Sequence, residues 1–136
     1  MDIDGTIATA DTAHAHPGVH AMIDTLKEHN SVFLFSNAFL AKRNLAMAEK
    51  LGVPYVKSHS RKPDPHIIRA IPNPEHRPVV VIGDLFVTDG LLAYFSGAKY
   101  VRVRRFVPPG ETTWWHFVLY HFDDTMYKLV GRFFTR

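Results

Sequence analysis

The 136-residue chain has no cysteine, which rules out disulfides, thiolate zinc sites and a cysteine nucleophile. It has no apolar run near the eighteen or so residues of a membrane span. No signal peptide is expected, because the first residues are acidic and motif-like. Charge of one sign is also scarce. The formal net charge is +3, and the densest basic group is Arg102, Arg104 and Arg105. A nucleic-acid binder concentrates more basic charge than this, so no nucleic-acid partner is expected. The nine histidines do not fall at metal-ligand spacing. Low-complexity segments and internal repeats are absent. What remains is an ordinary globular composition, 46% apolar and 21% charged, with room for one core.

Helical periodicity runs over 17–29, 38–51 and 88–96, and glycines at 52 and 97 stop the last two. Asp64-Pro65 starts a further helix, with Asp64 as cap and Pro65 at the first position. Continuous apolar runs at Val32–Phe35 and Val79–Ile82 read as buried strands, with a brief strand at Tyr55-Val56. Tyr100 to Arg104 alternates valine with arginine, as a half-exposed edge strand does. Pro108-Pro109-Gly110 breaks the chain before an aromatic helix over 114–133. Strands alternating with helices predict a parallel sheet with helices on both faces. Ligands of such sheets bind beyond the carboxyl ends of the strands, where Asp2, Ser36 and Asp84 fall.

Those residues suit phosphoryl chemistry. Asp2 and Asp4 are two apart, hence on one face of an extended chain. Gly5 permits a tight turn, so that backbone around Gly5 and Thr6 can approach a phosphate. Paired carboxylates there invite a hard cation, magnesium being usual with phosphate substrates. A cation and Lys62 would offset the repulsion between carboxylate and phosphate and let Asp2 attack phosphorus. Asp4 is placed to protonate the leaving oxygen and then to activate water. Ser36 and its neighbour Asn37 would bind the phosphoryl group, Asp84 would complete the metal shell, and Asp89 would brace it. Each fragment also has a structural reading: Asp-x-Asp-Gly as a turn, Ser36-Asn37 as a helix cap, Lys62 as a surface lysine. Their ordered occurrence at strand ends favours chemistry.

The set Asp2-Ile3-Asp4-Gly5-Thr6, Ser36, Lys62-Pro63, Gly83-Asp84 and Thr88-Asp89 resembles the four motifs of the haloacid dehalogenase (HAD) superfamily of phosphohydrolases. The resemblance spans nearly the whole chain. It implies a three-layer α/β/α sandwich around a parallel Rossmann-like sheet. Asp2 would be the phosphorylated nucleophile and Asp4 the acid/base, with magnesium held by Asp2, the Asp4 main-chain carbonyl and Asp84, and supported by Asp89. Neither the gap from Thr6 to Ser36 nor that from Ser36 to Lys62 has room for a cap domain. The Leu51–Val56 stretch, Arg61-Lys62-Pro63 and the Gly83–Asp89 spacing look most like the phosphatidylglycerophosphate phosphatases, although that group usually has asparagine where Gly5 stands. This likeness implies a lipid phosphate ester as substrate, in a mitochondrial or bacterial cytoplasmic setting.

The division expected is a catalytic core over 1–110 and an amphipathic helix over 111–136. On that helix Trp115, Val118, Phe122, Met126, Leu129, Val130 and Phe133 recur at helical spacing, flanked by Lys128, Arg132 and Arg136. Such a helix packs on its own core, on a protein partner or on a membrane surface. The HAD fold has a central strand leading into its first motif, and only Met1 precedes Asp2 here. A fragment, a strand donated by another chain, or a reduced accessory subunit with little turnover would each account for this.

Overall fold

The computed structural model describes all residues except 10, 11, 13, 39, 108–112 and 135–136, with side chains of 132–134 also excepted. The expected break at Pro108-Pro109-Gly110, the boundary at 110/111, and the placements of Arg132, Phe133 and Arg136 lie outside this set. The chain is α/β. Its elements are α1 (Val19–Lys27), α2 (Ala41–Lys50), α3 (His66–Arg69), β1 (Val80–Gly83), a π-helical turn (Phe86–Gly90), α4 (Leu91–Phe95), β2 (Lys99–Arg102) and α5 (Trp114–Phe134).

β1 and β2 pair in parallel, Val80 opposite Lys99 and Gly83 opposite Arg102. Val32–Phe35 and Tyr55-Val56 meet at a single parallel bridge, Leu34 to Tyr55, instead of forming full strands. Between these two pairs lie Met1 and Asp2. The Phe35 N–H donates to the Met1 carbonyl at 3.0 Å, and the Asp2 N–H donates to the Ile82 carbonyl at 2.9 Å. The lateral order is therefore Tyr55, Leu34, Met1-Asp2, β1, β2.

Local chemistry sets the helix ends. The Asp64 carboxylate accepts the His66 N–H at 2.9 Å, the cap expected at α3, and this bond holds the Asp64 carboxyl down to about 2. α2 starts three residues later than its periodicity predicts, because the Ser36 hydroxyl takes the Ala38 N–H and the chain turns first. The predicted helix over 88–96 starts earlier, as a π turn whose Val87 N–H is capped by Asp123 from α5.

One core cluster joins Ile3, Ile7, Ile23, Leu34 and Met47. A second joins Phe35, Val56, Ile67, Val81 and Leu92. Two expectations of side-chain phase need correcting. In β2 it is Val101 that is exposed, whereas Tyr100 and Arg102 turn inward. Arg102 does so because its guanidinium donates to the buried Asp123 at 2.9 Å and lies over the Tyr127 ring. In α5, Tyr120, Asp123, Tyr127 and Gly131 share the face turned toward the core, and Trp115, Val118, Phe122 and Leu129 of the predicted apolar stripe are exposed. Among the described residues no helix is long and apolar enough to cross a membrane.

Candidate metal centre

The site lies at the carboxyl ends of the central extended segments. Asp2 follows Met1 between the two pairs, and Asp84 follows β1 directly. Asp89 comes from the π turn, which brings its side chain back under β1. Gly83 makes this return possible, since a Cβ there would stand 2.2 Å from the Asp89 carboxyl carbon. Gly5 is constrained similarly: it has φ +75, and a Cβ would lie 2.7 Å from an Asp84 oxygen. The loop from Asp2 thus folds tightly against Asp84.

Asp2, Asp84 and Asp89 are buried and each offers an oxygen within 4.8 Å of the others. Oxygens on opposite sides of one hard cation, each at about 2.0–2.6 Å, span such a distance. Lys62 enters from the side, its Nζ 2.5 Å from Asp2 and 2.7 Å from Asp89. Arg105 donates to Asp84 at 2.7 Å. Three carboxylates therefore face two cations, and the cluster is short of positive charge. Burial pushes the Asp2 carboxyl up to about 7 against the pull of Lys62. It also raises Asp84, opposed by Arg105, and Asp89, opposed by Lys62. Burial alone would lower Lys62, but the Asp2 and Asp89 carboxylates outweigh it and hold the ammonium charged. One Asp84 oxygen, Oδ1, is buried without a hydrogen-bond partner among the described residues. An acceptor without a donor, in a cluster lacking positive charge, fits a metal ion.

The other expected site residues divide. Asp4 does not join the carboxylate cluster. Its side chain accepts from Ser36 at 2.6 Å and from Arg43 at 2.6 Å. The Ser36 hydroxyl also accepts the Ala38 N–H at 3.0 Å, in the turn that precedes α2. Asn37 brackets the Lys62 backbone: its Oδ1 accepts the Lys62 N–H at 2.8 Å, and its Nδ2 donates to the Lys62 carbonyl at 3.1 Å. This clamp is well suited to fixing the lysine. The Gly5 N–H donates to the Ala8 carbonyl at 2.8 Å and the Thr6 N–H to the Ile3 carbonyl at 3.2 Å, so both are engaged within their own turn. The Thr6 hydroxyl is buried and without a partner among the described residues.

Arg43, Arg105 and Asp123 carry no motif and went unassigned in the sequence. Arg43 ties Asp4 to the carbonyls of Thr9 and Thr12. Arg105 belongs to the densest basic group, which was the one signal available. Asp123 is fully buried in a helix that reads as apolar and aromatic, a position where a carboxylate needs a cationic partner. The chain matches no protein-family model, no curated protein and no solved structure.

Proposed function

We propose that this chain is a capless HAD-type phosphomonoester hydrolase dependent on magnesium. One observation carries the reading: the buried Asp2, Asp84 and Asp89 oxygens meet within 4.8 Å around a buried lysine. Those three residues would hold the cation, which supplies positive charge to the phosphoryl oxygens. The lateral order Tyr55, Leu34, Met1-Asp2, β1, β2 supports the corresponding three-layer sandwich.

In this reading an Asp2 carboxylate oxygen attacks phosphorus, and the ester P–O bond breaks. The departing oxygen takes a proton from Asp4. Asp4 then accepts a proton from water, which attacks the aspartyl-phosphate; the P–O bond to Asp2 breaks and inorganic phosphate leaves. Lys62 offsets charge on the phosphoryl oxygens, and Ser36 turns its hydroxyl from Asp4 to one of them. Asn37 fixes Lys62 through its backbone. The ester we assign is a lipid phosphate such as phosphatidylglycerophosphate. Its support is the exposed Trp114, Trp115, Phe117 and Phe122 on α5, which suit an interfacial contact.

A second reading is an HAD-like accessory subunit with little turnover. It is favoured by Arg105, which already neutralises Asp84. Phosphate release from phosphatidylglycerophosphate and from small esters, with and without magnesium, separates the two when compared with Asp2→Asn. Release that needs the metal and is lost in the variant supports the hydrolase. A folded chain that binds magnesium but releases nothing from any ester supports the subunit.

A further inference from the structure

Arg43 is the third residue of α2, and every nitrogen of its guanidinium has a partner. Nε donates to the Thr12 carbonyl at 2.8 Å and Nη2 to the Thr9 carbonyl at 2.7 Å. Nη1 donates to Asp4 Oδ1 at 2.6 Å and to Asn44 Oδ1 at 3.4 Å. A planar guanidinium anchored on two backbone carbonyls has its remaining corner fixed as well. A second path returns to the same carboxylate. The fully buried Asn44 donates to the Tyr55 hydroxyl at 3.4 Å, and that hydroxyl donates to the Ser36 carbonyl at 3.4 Å. Ser36 in turn donates to Asp4 Oδ2 at 2.6 Å.

This ring makes the two oxygens of Asp4 different. Oδ1 faces Arg43, whose N–H groups donate and never accept, so a proton has no place between them. Oδ2 faces a serine hydroxyl, which rotates to suit its partner. Ser36 follows Phe35, whose N–H bonds to the Met1 carbonyl, and this sets Ser36 beside Asp2 at the ends of the extended segments. Oδ2 is thus one hydrogen bond from the residue assigned to the phosphoryl group.

We propose that Arg43 is the positioning residue of the general acid: it holds Asp4 by Oδ1 and leaves Oδ2 to pass the proton. This rests on the hydrolase reading and deepens it. When the ester binds, Ser36 turns to a phosphoryl oxygen and releases Oδ2. The bond from the Asp2 oxygen to phosphorus forms, the ester P–O bond breaks, and the departing oxygen takes the proton from Oδ2. Oδ2, now anionic, later takes a proton from the attacking water. Arg43 touches neither ester nor water. Without it the carboxyl rotates and the proton is spread over both oxygens, and misplacement of an acid by about 1 Å can cost on the order of a hundredfold in rate.

The test is the leaving-group dependence of kcat/KM, measured with magnesium on p-nitrophenyl phosphate and phenyl phosphate. The two esters have nearly the same shape, but p-nitrophenolate departs without a proton, whereas phenolate departs far better with one. kcat/KM covers the steps up to that departure, so the later activation of water does not enter. In Arg43→Gln it should fall about a hundredfold on phenyl phosphate and no more than about threefold on p-nitrophenyl phosphate. Arg43→Lys keeps the charge but lacks the fork, so it should show the same selective loss, and it carries the test if Arg43→Gln does not fold. In the Asp4→Asn background, where there is no proton to pass, the Arg43 substitutions should leave the ratio of the two esters unchanged. Equal losses on both esters, in variants that thermal unfolding shows to be folded, overturn the inference alone. So does a change of ratio that persists in the Asp4→Asn background, since Arg43 would then act on another group. A folded wild type that releases phosphate from neither ester removes the hydrolase reading, and this inference with it.

Discussion

Arg105 holds the Asp84 carboxylate at 2.7 Å through one oxygen while the other oxygen of Asp84 is without a donor among the described residues. The guanidinium thus does part of the work of a metal ion and competes with one. Replacing Arg105 by Gln should raise magnesium affinity on the order of tenfold, as expected when a like charge leaves the neighbourhood of a cation site. The metal-free protein should lose about 3 kcal/mol, because a buried carboxylate is left uncompensated. Calorimetric titration and thermal unfolding in EDTA read the two effects. Unchanged magnesium affinity would mean that Asp84 is not a ligand.

The two-point clamp of Asn37 on Lys62 makes a different prediction. Asn37→Ala removes both bonds, with a stability loss of about 1–3 kcal/mol. In phosphate-release assays kcat should fall tenfold or more, since the ammonium loses its fixed position between Asp2 and Asp89. Asn37→Asp keeps the bond from the Lys62 N–H and forfeits the other, so it should fall between the wild type and Asn37→Ala. If Asn37 instead bound substrate directly, KM would rise with kcat little changed.

Asp123 and Asp124 are adjacent and both bond the Arg102 guanidinium, yet their substitutions should differ widely. Asp123 is fully buried and also caps the Val87 N–H. Asp123→Ala should therefore cost about 3–5 kcal/mol. Asp124 is half exposed, and Asp124→Ala should cost about 0–1 kcal/mol. Urea unfolding of the two variants measures the contrast.

How much of this was legible in the sequence follows from what each residue depends on. Asp2 and Asp84 stand in motifs at the ends of extended segments, and the structure brings Lys62 and Asp89, from the later motifs, against them. Chain order is enough for that, because parallel strands deliver their ends to one edge. The capping of α3 by Asp64 was local and readable for the same reason. The phase of β2 and of α5 was not. Both were assigned from apolar periodicity, whereas the buried faces are set by one ion pair, Arg102 with Asp123, formed across 21 residues. Arg43 was hidden in the same way, since its partner Asp4 lies 39 residues earlier. Long-range charge pairing leaves no period to read.

The last prediction concerns protons at the metal centre. Burial raises the Asp2 carboxyl to about 7 in the metal-free protein, from an ordinary value near 4. Its folded value lies above its unfolded one, so the folded state binds the extra proton between those limits. Stability from this group is fully present below the unfolded value and is lost as pH rises through about 7. A divalent cation needs the deprotonated carboxylate and must displace that proton below pH 7. Magnesium affinity should accordingly drop about tenfold per pH unit from 7 to 5 and level off above 8. The stabilisation by magnesium, read as the difference in Tm between metal and EDTA, should narrow over the same interval. In Asp2→Asn there is no carboxyl to titrate, and the slope contributed by this group should vanish. Titrations at pH 5, 6, 7 and 8 on both proteins decide the matter: an equal slope in the variant would place the titrating proton on Asp84 or Asp89 rather than on Asp2.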